Sequence, residues 1–136
     1  MIRLAFFIML LGVTQYATAQ QAVNETQQYE PVGKPFRVHG RLSVYNGNPS
    51  CRIWIVGTNR ILGIREIEEK ALIPPDLLQI LQEDINDRLI YADFVVSPLT
   101  KCKEGVMQIV RVESAENVVV TNRHLRFLKR LTGIIK

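Results

Sequence analysis

Three observations predict a mainly β domain with one helix (α+β), closed as a small five-stranded antiparallel barrel in the order β-β-β-α-β-β. Residues 36–45 alternate apolar and polar side chains, Asn46-Gly47 then offers a hairpin turn, and one proline-led helical stripe separates three β-like segments from two. Alternating β-α units would point to a parallel sheet, whereas strands in succession point to an antiparallel one. A generic α+β roll is the alternative architecture.

In "FRVHGRLSVY" (36–45), Phe36, Val38, Leu42 and Val44 face one way and Arg37, His39, Arg41, Ser43 and Tyr45 the other. Period two with β-branched and aromatic residues describes a strand with one wet face. Asn46 and Gly47 accept the positive φ of a tight hairpin, and Asn48-Pro49-Ser50 lengthens the loop. "CRIWIVG" resumes as a strand, with Cys51, Ile53 and Ile55 on one side and Arg52 and Trp54 on the other, before "TNR" turns the chain into "ILGI". Pro74-Pro75-Asp76 opens a helix, because proline suits the first turn and a carboxylate suits its positive end. Leu77, Leu78, Leu81, Ile85 and Leu89 form one stripe of a helix over residues 75–89, with Glu83, Asp84 and Asp87 largely off it. "IYADFVVSP" is a strand ending at Pro98, "GVMQIVRVES" is another, and "NVVVT" continues it or forms a short sixth. A barrel of the OB type has this order, with its helix between the third and fourth strands.

The chain ends are read separately. "MIR" is a cationic start, "LAFFIMLLGV" an apolar run, and "TQYATA" places Ala17 and Ala19 at small positions, so residues 1–19 read as a signal peptide. The run is about half of the ~20 residues needed to span a bilayer, and later apolar runs are broken by charge. The protein is therefore expected to be exported, periplasmic or secreted, with no transmembrane span after cleavage. Residues 20–35 are Gln-rich and read as a flexible leader, residues 36–120 as the barrel domain, and residues 121–136 as a basic tail. That tail holds Arg123, Arg126, Lys129, Arg130 and Lys136 and no acid, so the net charge of +4 describes the tail and not the slightly acidic body. Leu125, Leu128 and Leu131 recur every three residues, which predicts a basic amphipathic helix from about Arg123 to Thr132, ended by Gly133. Through Arg123, Arg126, Lys129 and Arg130 it could contact a membrane surface or an acidic partner; alternatively its leucines cap the barrel.

Catalytic patterns are missing. No G-x-S-x-G, H-E-x-x-H, C-x-x-C or phosphate-loop pattern occurs, and His39 and His124 are the only imidazoles. The carboxylates of Glu66–Lys70 read as a solvated loop or helix start, with a cation site as the alternative; Asp93 either points outward or pairs with an arginine across the sheet. No catalytic residue, metal ligand or cofactor is assigned. Cys51 and Cys102 are the only thiols. An even count in an oxidising compartment favours pairing, and in an OB barrel their two loops border one face, so a Cys51–Cys102 disulfide is expected. The alternative is a core cysteine at 51 and an exposed thiol at 102.

The run "GRLSVYNGNPSCRIWIVGTNRILG" resembles a family of small exported bacterial proteins of unknown function, over residues 36–64 and more loosely to 120. In gross layout the chain is also similar to periplasmic stress-associated OB-fold proteins. Neither resemblance implies catalytic residues. What the residues themselves offer is a wet face carrying Arg37, His39, Arg41, Tyr45, Arg52 and Trp54, which combines guanidinium forks for carboxylate or phosphate with a flat indole. The reading is an exported, non-enzymatic binding or interaction module for an anionic envelope ligand, polysaccharide or lipid. An accessory or inhibitor subunit docking on another envelope protein is the alternative, and a hydrolase comes third. Nucleic acid is disfavoured, because export and an acidic body fit poorly with binding through many phosphate contacts.

Overall fold

Alternation in the first ribbon resolves into strands β1 (Phe36–Val44) and β2 (Cys51–Ile55), paired antiparallel across a turn in which Gly47 takes a φ of 109°. The computed structural model describes residues 29–68, 70–84, 87–123 and 128–130. β2 runs antiparallel to β3 (Ile61–Ile64), after which a two-residue hairpin, β4 (Glu66–Ile67) with β5 (Lys70–Ala71), leads to helix α1 (Pro75–Gln82). Two long strands follow, β6 (Arg88–Pro98) and β7 (Gln108–Asn122), and then β8 (Leu128–Arg130). The described chain is mainly β with one helix, as the alternation and the proline-led stripe predict.

The large sheet has the order β3-β2-β1-β6-β7-β8, with an additional pairing of β3 to β7. That pairing joins the two ends of the five-strand run, so β1, β2, β3, β6 and β7 each hydrogen-bond to at least two others. It is also parallel, Leu62–Ile64 against Gln108–Val110, which corrects the expectation of an antiparallel sheet throughout. The reason is arithmetic: directions cannot alternate around a ring with an odd number of members, so one neighbouring pair must run the same way.

Inside lies one apolar cluster, in which Leu42, Ile53, Leu62, Ile64, Ile90, Phe94, Val96, Val110 and Val118 have no exposed surface. Each such side chain contributes about 1.5–3 kcal/mol relative to leaving it in water. α1 joins this cluster through Leu77 and Leu81, both buried. Gly40 is there for space: a Cβ would come within 2.4 Å of Ile53 Cγ2. That close approach lets β1 carry its outward arginines over a tightly packed interior.

Several expectations are corrected. The helix ends at Gln82, and Arg88 already begins β6. Glu83 and Asp84 follow its last turn, where the helix dipole disfavours carboxylates; that turn holds no basic residue, and Glu83 instead pairs with Arg88 at the start of β6, 2.9 Å away. Leu89 therefore lies in β6 opposite Thr121, and Ile85 is outside the described residues. Of the two expectations for "NVVVT", the first holds: the segment continues β7. Glu66 and its neighbours form the β4–β5 hairpin and not a solvated loop or helix start. The tail is not a helix where it is described: β8 pairs with Val119–Thr121. β3 covers only Gln108–Val110 of β7, and the uncovered edge decides the matter where a three-residue leucine spacing cannot. Residues 1–28, 124–127 and 131–136, and with them the signal peptide, most of the leader and Arg126, lie outside the described residues. Cys51 and Cys102 are not joined: Cys51 is buried at the start of β2, while Cys102 is exposed. Arg60 Nη2 lies 3.3 Å from the Cys102 sulfur, and the next residue, Ile61, pairs with Trp54 towards the other end of β2.

Candidate functional site

The outward face of β2, β1 and β6 is laid out in rows by register. Trp54, Arg41 and Tyr91 form one row, Arg52 stands opposite Ser43, and His39 stands opposite Asp93. Tyr45, one residue beyond β1, leans over the same face because its backbone N–H is tied to Ser50 O at 2.9 Å.

At one end of this face the cations gather on aromatic rings. The Arg41 guanidinium lies 4.9 Å from the Trp54 ring centroid, and its Nη2 donates to the Tyr45 hydroxyl at 3.2 Å. Arg52 comes from β2 on one side of β1 and Arg123 from the end of β7 on the other; they sit 5.3 and 5.8 Å from the Tyr45 ring centroid. Backbone acceptors hold both arginines: Arg52 Nε donates to Pro49 O at 2.9 Å and Arg123 Nη2 to Val44 O at 3.2 Å. The half-buried Trp54 is fixed as well, its Nε1 donating to Thr58 O at 2.6 Å. Among the described residues no carboxylate lies within 4.0 Å of Arg41, Arg52 or Arg123, and Arg41 Nε is buried without a hydrogen-bond partner. Burial works to raise the Tyr45 phenol. The Ser43 hydroxyl, the Arg41 guanidinium and the charge of Arg123 outweigh it and hold the phenol below its ordinary value.

At the other end the charges are already matched. Arg37 Nη2 donates to Glu116 at 2.7 Å and reaches Asp93 at 3.4 Å, and His39 Nδ1 lies 2.9 Å from Asp93 Oδ1. Asn117 Nδ2 donates to the other Asp93 oxygen at 2.7 Å. The Asn117 amide, then His39 and Arg37, hold the Asp93 carboxyl below its ordinary value against a smaller upward pull from burial.

No family model, curated protein or solved structure matches the chain.

Of the six residues singled out on the ribbon, the structure brings Arg41, Tyr45, Arg52 and Trp54 together and sets Arg37 and His39 apart among acids. Arg123, expected on a separate basic helix, belongs to the first group. Lys129 and Arg130 lie on β8 opposite Val120 and Val119. Tyr91, Glu116 and Asn117 are additions: alternation in β6 puts Tyr91 and Asp93 on one face, but only the register shows that this face is shared with Arg41. Glu66 is a clamp, accepting from Ser50 N (2.8 Å), Ser50 Oγ (2.7 Å) and Cys51 N (3.1 Å). Burial raises the Glu66 carboxyl, but those donors, with the charge of Arg52, prevail and hold it below its ordinary value. Among the described residues no group of three or more His, Cys, Asp or Glu side chains is placed to hold a metal ion, and no helix is long and apolar enough to cross a membrane.

Beyond Trp54 the face continues. Its register partner Ile61 borders a cleft of about 490 Å³, also lined by Arg60, Lys103, Val106 and Met107.

Proposed function

We propose that this chain is an exported, non-enzymatic binding module, an OB-like barrel whose β1–β2 face holds an anionic envelope ligand at Arg41, Arg52 and Arg123. One observation carries the reading: three guanidinium groups are gathered around Tyr45 and Trp54 with no described carboxylate within 4.0 Å, Glu66 acting on Arg52 only through its charge. Like charges so placed repel, and an incoming anion relieves that repulsion while accepting charge-assisted hydrogen bonds. Aromatic stacking and backbone acceptors hold the arginines in place beforehand, which lowers the ordering cost of binding. The closed circuit of strands, with the helix between β3 and β6, supports the barrel reading; OB barrels bind ligands on their second and third strands and at the loop between the first two, and that loop here carries Tyr45.

Trp54 is the only tryptophan in the chain, so its emission reports the site directly. Titration with inorganic sulfate or phosphate, or with an oligogalacturonate, should change that emission saturably, and added sodium chloride should weaken the effect. An emission that no anion alters, or that a neutral oligosaccharide alters equally, overturns the reading.

A further inference from the structure

The cleft beside Trp54 extends the arginine site, and its walls differ from it in character. Across neighbouring strands the outward order is Arg41, Trp54, Ile61, so the cleft begins about 10 Å from the Arg41 strand. Two of the exposed large apolar side chains line this cleft: Ile61 at 40% and Val106 at 58%. Met107 lines it with them, and so do the polar Asn59, Arg60, Lys103, Glu104 and Gln108. Isolated surface apolar residues need no explanation, but Ile61, Val106 and Met107 share a hollow in the size range of small-molecule sites. At the far end of the face Asp93 and Glu116 pair with Arg37, and Asp93 also contacts His39. A long polyanion lying along β1 would meet those carboxylates, whereas a ligand with one anionic head would not.

We infer that the ligand is an anionic amphiphile bound as a single molecule, with its head among Arg41, Arg52 and Arg123 and its alkyl chain crossing Trp54 and Ile61 into the cleft at Val106 and Met107. This rests on the arginine reading above and names the class of ligand that the site takes. Charge complementarity sets the head, and the exposed apolar lining sets the tail. A phosphate, sulfate or carboxylate head shares the required chemistry.

The test is a chain-length series of hexyl, octyl and decyl phosphate, each below its micellar concentration, read by Trp54 emission on the full chain, with inorganic phosphate and decyl maltoside alongside. Each methylene that enters the cleft should tighten binding by up to about fourfold, so affinity should climb along the series. Val106→Asn, at a position already exposed, should flatten the climb. Arg41→Gln should lower every member of the series by a similar factor and leave the climb in place. Decyl sulfate and decanoate in place of decyl phosphate show which head is preferred. A flat series with phosphate still bound overturns the amphiphile and leaves the arginine site standing. Equal affinity for decyl maltoside and decyl phosphate overturns both. Binding to phosphatidylglycerol vesicles without binding to any monomer also overturns the inference, since it would make the face a membrane-contact surface and not a cleft.

Discussion

Arg37 and Arg41 stand on the same strand, on the same face, four residues apart, yet they meet opposite surroundings. Arg37 is held by Glu116 and Asp93, with His39 beside it on the same carboxylate. Arg41 is held by a tryptophan ring and a tyrosine hydroxyl, with Arg52 and Arg123 close to that same tyrosine. The strands β6 and β7 supply acids to one end of the ribbon, and at the other end β2 and the end of β7 supply more cations. A basic residue on a wet face is therefore not in itself a binding residue. What separates the two ends is whether the neighbouring strand has already supplied the counter-charge.

The largest expected effect breaks the comparison if it fails. Arg41→Gln should weaken sulfate or alkyl phosphate binding about 10- to 100-fold, the value of a hydrogen bond to a charged group, whereas Arg37→Gln should change it less than about twofold. Parallel Trp54 titrations of the two variants give the answer, and equal losses would erase the distinction between the ends. Next in size is Glu66→Gln, which weakens the clamp on Ser50 and Cys51 beneath the loop that positions Tyr45 and Arg52. It should cost about 1–2 kcal/mol in urea unfolding.

The comparison is sharpened by converting one end into the other. Asp93→Asn with Glu116→Gln removes the counter-charges from Arg37, and anion affinity should rise about two- to fivefold, on the scale of exposed ion pairs. The same acids set a pH dependence. Asp93 and Glu66 have native values below the ordinary carboxylate range, so each contributes stability that is complete above that range. That contribution disappears as pH falls through the lowered native values. Urea midpoints followed from neutral to acid pH should fall, and fall less in Asp93→Asn. The smallest effect is at Tyr45: its phenolate absorbance should develop at lower pH than that of tyrosines away from the arginines, and Arg41→Gln should move it back up.

Much of this was legible before any coordinates. Alternation placed Arg41, Tyr45, Arg52 and Trp54 on one wet face, Asn46-Gly47 marked the hairpin, and Pro74-Pro75-Asp76 marked the start of the helix. What was missed depends on register and closure, which no single segment encodes. The parallel β3–β7 pair follows from closing an odd ring, not from any residue in either strand. Tyr91 and Asp93 meet the ribbon only because β6 pairs with β1 in one particular register. Arg123 looked like the start of a basic helix because its contact, the ring of Tyr45, lies far away in sequence. Counting thiols could not show that Cys51 faces the core while Cys102 is exposed beside Arg60. Glu66 lay in a run of acids, and nothing local distinguished the one that accepts three hydrogen bonds from its neighbours.

Which guanidinium groups are open to an anion is reported residue by residue by the side-chain Nε–H resonances of arginine. In a sulfate titration followed by nitrogen-15 NMR, the signals of Arg41, Arg52 and Arg123 should move together and saturate, while Arg37 stays in place. If Arg37 moved along the same saturation curve, or if all four drifted linearly with salt, the face would hold no site and the account would be wrong.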